Sequence, residues 1–247
     1  MLKGRTALVT GSTSGIGLGI AKALAAQGAN MVLNGFGDVD GPKAEVAALG
    51  VQVAYHGADM SKPDEIAAMM AYAAEQFGRV DILVNNAGIQ HVARVENFPP
   101  ERWDAIIAIN MSSAFHATRL ALPAMQAAGW GRIINVASVH GLVASAEKAA
   151  YVAAKHGVVG LTRALAVELG REGITVNCVC PGPINTKLTS FIEEKDKATF
   201  ARRRVALQRY GEPEEVAHAT LNFALPAASF MTGTTLQVDG GLWIRNA

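Results

Sequence analysis

The stretch Thr10-Gly11-Ser12-Thr13-Ser14-Gly15-Ile16-Gly17 joins an apolar run, residues 6–10, to a segment with helical character, residues 15–27. Glycines at such a junction allow a tight turn, let backbone amides approach a pyrophosphate, and let the helix pack closely on the sheet. The N-terminus of the helix presents its positive end to the same phosphates. The stretch therefore predicts a strand–turn–helix unit that binds a nucleotide. The candidate residues for this contact are Gly11, Ser14, Gly15, Ile16 and Gly17.

The rest of the chain repeats this alternation of apolar strands and helices. Further strands are predicted at residues 29–33, 51–55, 80–84, 132–137, 174–179 and 235–238, and further helices at 105–127, 149–169 and 214–224. Another helix is predicted with Ser61 as its N-cap and Pro63 just inside it. Strands that are apolar on both faces and separated by helices indicate a parallel sheet covered on both sides. We therefore expect an α/β Rossmann fold, with a doubly wound, mostly parallel seven-stranded sheet and helices on both faces.

Length and composition limit the class of protein. The 247 residues fit one large α/β domain over residues 1–247, and half of them are hydrophobic, which suffices for a large core. The formal net charge is +1, so there is no broad electrostatic field to attract a nucleic acid or an anionic membrane. No stretch approaches the roughly 18 apolar residues of a membrane span. We expect a cytoplasmic protein without nucleic-acid or membrane partners.

Cys178 and Cys180 are the two cysteines of the chain, and they lie two residues apart in a predicted strand. Both side chains should point to the same face, and neither a disulfide framework nor a zinc site can be built from them. We expect small buried core residues in a reducing compartment, and we predict no metal site.

Residues 181–210 form a long stretch without clear predicted structure. The stretch begins Pro181-Gly182-Pro183 and carries several charges. A long irregular excursion in a compact domain is usually a functional lid or a binding loop. We predict a substrate lid at residues 183–210, which is called the lid segment below.

The spacing Gly-x3-Gly-x-Gly of residues 11–17 resembles that of the short-chain dehydrogenase/reductase family. Further matches are Asn85-Asn86-Ala87-Gly88 after the fourth strand and Pro181-Gly182 after the sixth. The resemblance implies a nicotinamide dinucleotide site, with Asn86 and Gly88 near the adenosine and Pro181-Gly182 near the carboxamide. It also implies that Asp59 binds the adenine amino group and that Thr186 lies at the nicotinamide. From the residues alone, Asp59 could merely cap a turn and Thr186 could be a solvated loop residue.

Ser138, Tyr151 and Lys155 are the candidate catalytic residues. Tyr151 and Lys155 are four apart on a predicted helix and share one face, while Ser138 ends a strand at the ligand-binding edge of such sheets. An unperturbed tyrosine is a poor base at neutral pH, so we expect the Lys155 ammonium and a bound nicotinamide cation to lower the pKa of Tyr151. The resemblance implies that Ser138 holds the substrate oxygen, that Lys155 also reaches the nicotinamide ribose, and that Asn110 places a water in a proton relay. Taken alone, a Tyr-x3-Lys pair usually marks an exposed helix face.

The end of the second strand bears on the choice of cofactor. An acidic residue there would bind the ribose 2′-hydroxyl of NAD, whereas an arginine would accommodate the 2′-phosphate of NADP. The sequence Asn34-Gly35-Phe36-Gly37 offers neither, and Ser14 is uncharged where a cation would favour the phosphate. We therefore predict NAD, with Phe36 beside the adenosine, although an ordinary packing role for Phe36 stays open.

Residues 1 to about 160 resemble the bacterial D-3-hydroxybutyrate dehydrogenases of the same family, through segments 11–24, 34–40, 86–95 and 137–157. This resemblance implies that Gln90, His140 and Lys148 bind a substrate carboxylate next to Ser138 and Tyr151. One cation with two polar donors suits a small carboxylate near a reacting carbonyl. Each of the three also has a plain alternative, since Lys148 could be solvated, His140 could satisfy a backbone group, and Gln90 could cap a loop.

The last third of the chain departs from that pattern. From about Leu161 it resembles generic short-chain ketoreductases, and the lid segment lacks, near Pro181-Gly182, the glutamine that completes the carboxylate site in the resembled dehydrogenases. Arg202-Arg203-Arg204 could supply a substitute cation, although a run of charges is more often a solvated helix face.

Three functions therefore stay open. The first is an NAD-dependent dehydrogenase that interconverts a short hydroxy acid and its keto acid, with Tyr151 as general acid/base. D-3-hydroxybutyrate is the best candidate for the hydroxy acid. The second is a broader ketoreductase, possibly NADPH-linked, that acts on neutral or carrier-bound 3-oxo substrates. The third is a nucleotide sensor without turnover. The family resemblance also implies a homotetramer, in which alanine-rich helix faces such as Ala149-Ala150, Ala153-Ala154 and Ala164 with Ala166 would allow close approach. The same faces could equally pack within one subunit.

Overall fold

A computed structural model of the chain describes residues 1–245, so Asn246 and Ala247, the last two residues of the predicted domain, lie outside the described part. Seven strands are present within it: β1 (Thr6–Val9), β2 (Asn30–Asn34), β3 (Val53–His56), β4 (Ile82–Asn85), β5 (Gly131–Val136), β6 (Ile174–Pro181) and β7 (Thr235–Val238). The α-helices are α1 (Gly15–Ala26), α2 (Asp40–Ala47), α3 (Pro63–Phe77), α4 (Pro100–Ile107), α5 (Ser113–Ala128), α6 (Ala149–Leu169), α7 (Glu194–Arg204) and α8 (Pro213–Ala224).

The strands form one sheet in the order β3-β2-β1-β4-β5-β6-β7. Every neighbouring pair is parallel, so the carboxyl ends of all seven strands lie at the same edge. The strand order reverses between β1 and β4, and open α/β sheets bind ligands at such a switch point. The predicted doubly wound, parallel seven-stranded fold is confirmed.

The sheet has a separate hydrophobic core on each face. Ala7 and Val9 of β1 pack on one side with α1 and α8, for example against Ile20 and Phe223. Leu8 points to the other side, where its core is shared with α3, α5 and α6. Successive strand residues alternate between the two faces, and both faces are covered, which is why the strands are mostly apolar on both faces.

Helix α3 begins differently from the prediction. Pro63 is its first residue and Asp64 and Glu65 lie in its first turn, but the N-cap is Lys62 and not Ser61. The hydroxyl and the amide of Ser61 both donate to Oδ1 of Asp59, at 2.8 and 2.9 Å. The predicted Ser61 cap is therefore wrong, because the Asp59 carboxylate takes the polar groups of the serine.

The two cysteines lie on β6, as predicted. Cys178 and Cys180 are free thiols that are fully buried, with their sulfur atoms 4.0 Å apart. Across residues 1–245 there is no cluster of three His, Cys, Asp or Glu side chains that could hold a metal ion. Within the same residues, no helix is both long enough and apolar enough to cross a membrane.

Candidate active site

A cleft of about 1240 Å³ opens at the carboxyl edge of the sheet. The segments that follow β1, β2, β3, β4, β5 and β6 line it, together with part of the lid segment. With the exception of Asn110, every residue predicted for the site lines this cleft. Residues predicted for the adenosine follow β2, β3 and β4, those predicted for the pyrophosphate follow β1, and the predicted catalytic serine follows β5.

The glycine turn requires glycine at positions 11, 15 and 17, for reasons of conformation or of space. Gly11 and Gly15 have φ values of 63° and 54°, which favour glycine. A Cβ on Gly17 would lie only 2.2 Å from the carbonyl oxygen of Gly11. Ser14, the N-cap of α1, makes no side-chain hydrogen bond to the first turn. The amide groups that begin α1 are therefore available for an anion.

The loop after β2 is fixed by hydrogen bonds that the sequence did not reveal. The buried Asn34 accepts from the Gly11 amide through Oδ1 and donates to the carbonyl oxygens of His56 and Ala58 through Nδ2. The hydroxyl of Thr13 donates to the carbonyl of Phe36 at 2.9 Å. Phe36 itself lines the cleft and is 67% exposed, so it is not a core residue.

Asp59 lies where β3 leads towards α3, and it faces the cleft. The backbone amide of Ser61, followed by its hydroxyl, holds the pKa of the Asp59 carboxyl below its ordinary value. The amide of Asp59 donates to Glu65 at 2.8 Å, which fixes the turn. Asp59 is therefore an ionised, oriented acceptor at neutral pH.

Asn86 ties the turn after β4 to the glycine turn. Its Nδ2 donates to the carbonyls of Thr10 and Gly11, at 2.8 and 3.1 Å. The hydroxyl oxygen of Thr10 accepts in return from the amides of Asn86 and Ala87. Gly88 follows directly, and a Cβ there would come within 3.5 Å of Asn110 Oδ1 and 3.6 Å of Lys155 Nζ.

Pro181-Gly182 ends β6 against the last strand. The Gly182 amide donates to Val238 at 3.0 Å, and a Cβ on Gly182 would lie 2.7 Å from the Cα of Asp239. Thr186 lies beside the glycine turn, with its methyl group 3.4 Å from the position of a Cβ on Gly15. Thr186 also lines the cleft, so the start of the lid segment lies at the cleft beside the glycine turn.

Ser138, Tyr151 and Lys155 come together as predicted. Ser138 lies just beyond β5, and the other two are in the first turns of α6. The buried Lys155 donates through Nζ to the carbonyl of Val136 at 2.8 Å, and Nζ is 5.6 Å from the centre of the Tyr151 ring. The His140 ring meets the Tyr151 ring edge-on at 5.9 Å.

In the chain by itself Lys155 does not lower the pKa of Tyr151, and the lowering expected with a bound nicotinamide cation stays a prediction. Burial raises the pKa of Tyr151, and the nearby Ser138 hydroxyl opposes this shift without cancelling it. Burial also lowers the pKa of Lys155 to about 8. Both shifts have the same cause, because a site with little water disfavours the phenolate and the ammonium alike.

Asn110 lies behind the cleft, in a π-helical turn (Ala108–Ser112) between α4 and α5. Its Oδ1 accepts from the Ile89 amide at 2.8 Å and its Nδ2 donates to the Ile89 carbonyl at 2.9 Å. Such π turns are frequent at functional sites. Asn110 thereby fixes the segment between Gly88 and Gln90.

Gln90, His140 and Lys148 all line the cleft with Ser138 and Tyr151. Burial, reinforced by the charge of Lys148, lowers the pKa of His140 to about 4, so the imidazole is neutral at pH 7. Burial also lowers the pKa of Lys148. The amide of Ala93 donates to the carbonyl of Glu147 at 2.9 Å, which links the loop that carries Gln90 to the loop before Lys148.

These residues fit a nicotinamide dinucleotide. A Cβ on Gly11 or Gly17 would fill the space of the glycine turn, and the first amides of α1 have no side-chain cap. The cleft continues from this turn past Asp59 and Phe36. A pyrophosphate is the anion that such a turn accommodates.

Residues 11–243 match the protein family described as enoyl-(acyl carrier protein) reductase. The chain is also 56% identical, over 260 aligned positions, to a D-beta-hydroxybutyrate dehydrogenase of Cupriavidus necator, with 99% of each chain covered. The chain belongs to the short-chain dehydrogenase/reductase family. As a short-chain dehydrogenase/reductase, it is an oxidoreductase, and enzymes of this family use nicotinamide cofactors.

This short-chain dehydrogenase/reductase is also similar to ketoreductases. It is 38% identical over 244 positions to a 3-oxoacyl-(acyl-carrier-protein) reductase of Vibrio cholerae, covering 98% of this chain and 99% of that protein. The solved structure of a levodione reductase superposes with a TM-score of 0.94 at 33% identity over the whole of both chains. The predicted double resemblance is confirmed. The alignment with the Cupriavidus enzyme extends over more positions than the 247 residues of this chain, so it contains gaps in this chain.

The lid segment of this short-chain enzyme holds cleft residues in addition to the arginines that the sequence singled out. Helix α7 lies inside it, and its residues Asp196, Thr199, Phe200, Arg203 and Arg204 line the cleft. The available signal was their spacing of three to four residues. Because α7 carries so few apolar residues, no hydrophobic period revealed it.

Proposed function

We propose that this enzyme is an NAD-dependent dehydrogenase that interconverts a short 3-hydroxy acid, with D-3-hydroxybutyrate as the best candidate, and its keto acid. One observation carries the proposal: Gln90, His140 and Lys148 line the same cleft as Ser138 and Tyr151. The similarity to the Cupriavidus enzyme supports it.

Tyr151 is the general acid/base of the proposed reaction. During oxidation the Tyr151 phenolate takes the hydroxyl proton of the substrate and becomes the phenol, and during reduction the phenol gives its proton to the carbonyl oxygen and becomes the phenolate. The Ser138 hydroxyl donates to the same oxygen and holds it in place. The chemistry that a bound nicotinamide supplies is acceptance or donation of the hydride. Burial lowers the pKa of Lys155 to about 8, which is close to neutral pH. The Lys155 ammonium can therefore exchange a proton with water.

The carboxylate of the acid lies at Gln90, His140 and Lys148 in this proposal. Lys148 forms no ion pair within residues 1–245, so its charge is free for a ligand. Neutral His140 and Gln90 offer directional hydrogen bonds without a second full charge. A charge-assisted contact with two neutral donors orients the acid while its reacting carbon faces Tyr151.

The preference for NAD rests on the loop after β2. Gly35 and Phe36 line the cleft there, and no Lys or Arg among the described residues of that loop lines it. The cations of the cleft lie elsewhere, at Lys148, Lys155, Lys187, Arg203 and Arg204. A 2′-phosphate would therefore lack a partner.

Turnover by the purified protein tests the function. With NAD and D-3-hydroxybutyrate, NADH should accumulate, whereas the L-enantiomer, simple alcohols and NADP serve as comparisons. Good turnover of uncharged alcohols without turnover of the hydroxy acid would overturn the acid assignment.

A second experiment separates an enzyme from a nucleotide sensor. Tyr151→Phe should abolish turnover while leaving NADH affinity within a few-fold of the wild type. Tyr210→Phe is the matched control, because Tyr210 also lines the cleft but lies outside the proposed proton path. Unchanged function after the Tyr151 substitution would favour the sensor.

The second candidate is a ketoreductase for neutral or carrier-bound 3-oxo substrates, with NADPH as the alternative cofactor. The similarity to the Vibrio reductase, which aligns without excess length, favours it. Reduction of a β-ketoester with each cofactor distinguishes the two candidates, since a ketoreductase would turn over the ester better than acetoacetate.

We also propose a homotetramer in the cytoplasm, with Tyr151 and Lys155 close to an interface formed by α6. Ala150 and Ala154 are buried within the subunit, whereas Val167 is 87% exposed on the same helix. The two free, buried thiols suit a reducing compartment. Light scattering on the eluting protein measures the oligomeric state.

A further inference from the structure

Helix α7 presents one side to the cleft. Asp196, Thr199, Phe200 and Arg203 line the cleft, at spacings of three, one and three residues, which is a single helical face. Arg202 does not line the cleft, although it neighbours Arg203. Ala201, which is 1% exposed, points into the protein and fixes the rotation of the helix.

Arg203 has no ion-pair partner among the described residues. Within residues 1–245 it forms no ion pair, and neither does Lys148, which lines the same cleft. Asp196 faces the cleft from the same helix but is not paired with either cation. The chain as a whole has a net charge of only +1, whereas five basic and two acidic side chains line the cleft.

Apolar side chains of the lid segment accompany these charges. Phe191 and Phe200 line the cleft while remaining 78% and 40% exposed. The Phe200 ring meets Tyr210 edge-on at 6.1 Å, which orients it. Cations beside exposed aromatic rings suit a ligand that combines a carboxylate with a short hydrocarbon part.

We infer that the cleft-facing side of α7 recognises the acid substrate, with Arg203 as a specificity-determining residue that binds its carboxylate together with Lys148. Phe200 and Phe191 cover the hydrocarbon part. This inference rests on the proposed function, in that the ligand is the hydroxy or keto acid of that reaction. Of the three arginines of the cluster, Arg202 does not line the cleft, whereas Arg203 and its neighbour Arg204 do.

Binding of butyrate to the enzyme–NADH complex tests the inference separately from turnover. Butyrate has the carboxylate and the hydrocarbon part but no hydroxyl to oxidise, and NADH fluorescence reports its binding. Arg203→Gln should weaken butyrate binding about 10-fold or more, as expected for loss of a hydrogen bond to a charged group. Arg202→Gln, the matched control, should change it by less than about twofold, as is usual for exposed charges. Arg203→Lys should recover part of the loss.

Steady-state kinetics with D-3-hydroxybutyrate complete the test. Arg203→Gln should raise KM about 10-fold with little change in kcat, and the Kd of NADH should stay the same, which excludes a cofactor phosphate as the partner of Arg203. Equal butyrate affinity in the Arg203 and Arg202 variants, or no butyrate binding by the wild type, would overturn the inference. Butyrate binding that depends on Arg203 in a protein without hydroxy-acid turnover would uphold the anion site and overturn the proposed reaction.

Discussion

Gly17→Ala places a methyl group where the glycine turn has no room for it. The new Cβ would lie 2.2 Å from the Gly11 carbonyl oxygen and 2.6 Å from Nδ2 of Asn86. Neither neighbour can yield easily, because the two are hydrogen-bonded to each other at 3.1 Å and the Gly11 amide also donates to Asn34. The turn must therefore move by about 1 Å to reach an ordinary contact distance.

Two opposing effects set the magnitude of the change in stability. Alanine within a helix is favoured over glycine by about 0.8–1 kcal/mol. Overpacking in a rigid environment typically costs about 1–3 kcal/mol, and weakening the hydrogen bonds of Gly11 adds about 1 kcal/mol. We expect a net loss of about 1–3 kcal/mol in the free energy of unfolding. Displacement of the amides by about 1 Å should weaken dinucleotide binding about 100-fold.

Urea denaturation and an NADH fluorescence titration measure the two effects. Gly19→Ala is the control in the same helix, since its Cβ would approach its nearest neighbour, the Pro213 carbonyl oxygen, only to 3.3 Å and lies away from the turn. The control should keep the NADH affinity of the wild type. Wild-type stability and wild-type NADH affinity in Gly17→Ala would refute the geometric reasoning.

Further predictions concern charge, helix stability and cofactor choice. Because burial lowers the pKa of Lys155 to about 8, the unfolded chain binds more protons than the folded one between that value and the ordinary pKa near 10.5. The free energy of unfolding of the wild type should therefore rise with pH across this window relative to Lys155→Met, by at most about 3 kcal/mol; parallel pH profiles from urea denaturation would contradict this. Gly160 lies inside α6 with nothing within 4 Å of a Cβ, so Gly160→Ala should add about 0.5–1 kcal/mol to the free energy of unfolding, whereas a loss of stability would show an unrecognised contact. Ser14→Arg should improve NADP affinity about 10-fold with little effect on NAD, and equal Kd ratios in variant and wild type would show that residue 14 does not face the ribose.

The sequence was sufficient for the sheet and for the position of the glycine turn at its carboxyl edge. Short apolar runs predicted all seven strands, and parallel strands necessarily bring the segments around Gly11, Asn86 and Ser138 to one edge. The glycine turn is a local motif whose geometry depends on few distant residues. Both kinds of signal are contained within a few adjacent positions.

What the sequence did not reveal depends on contacts between distant segments. Helix α7 has almost no apolar residues, so the rotation that turns Arg203 into the cleft and Arg202 away is set by the burial of Ala201. The direction of the Tyr151 pKa shift depends on how much surrounding structure excludes water, which residue spacing cannot express. Ser61 is a good N-cap by type, yet its hydroxyl goes to Asp59 because of the path of the turn.

Helix α7 packs on the rest of the protein through very little buried surface, which has a consequence for how such an enzyme evolves. Within the described chain, Ala201 is the one buried residue of this 11-residue helix, and the two cores of the sheet are formed by other elements. Mutations on its cleft-facing side therefore escape most of the selection that acts through folding stability. If α7 recognises the substrate as proposed, a change from one acid substrate to another would need substitutions only on this surface helix, while the glycine turn and the two cores stay unchanged.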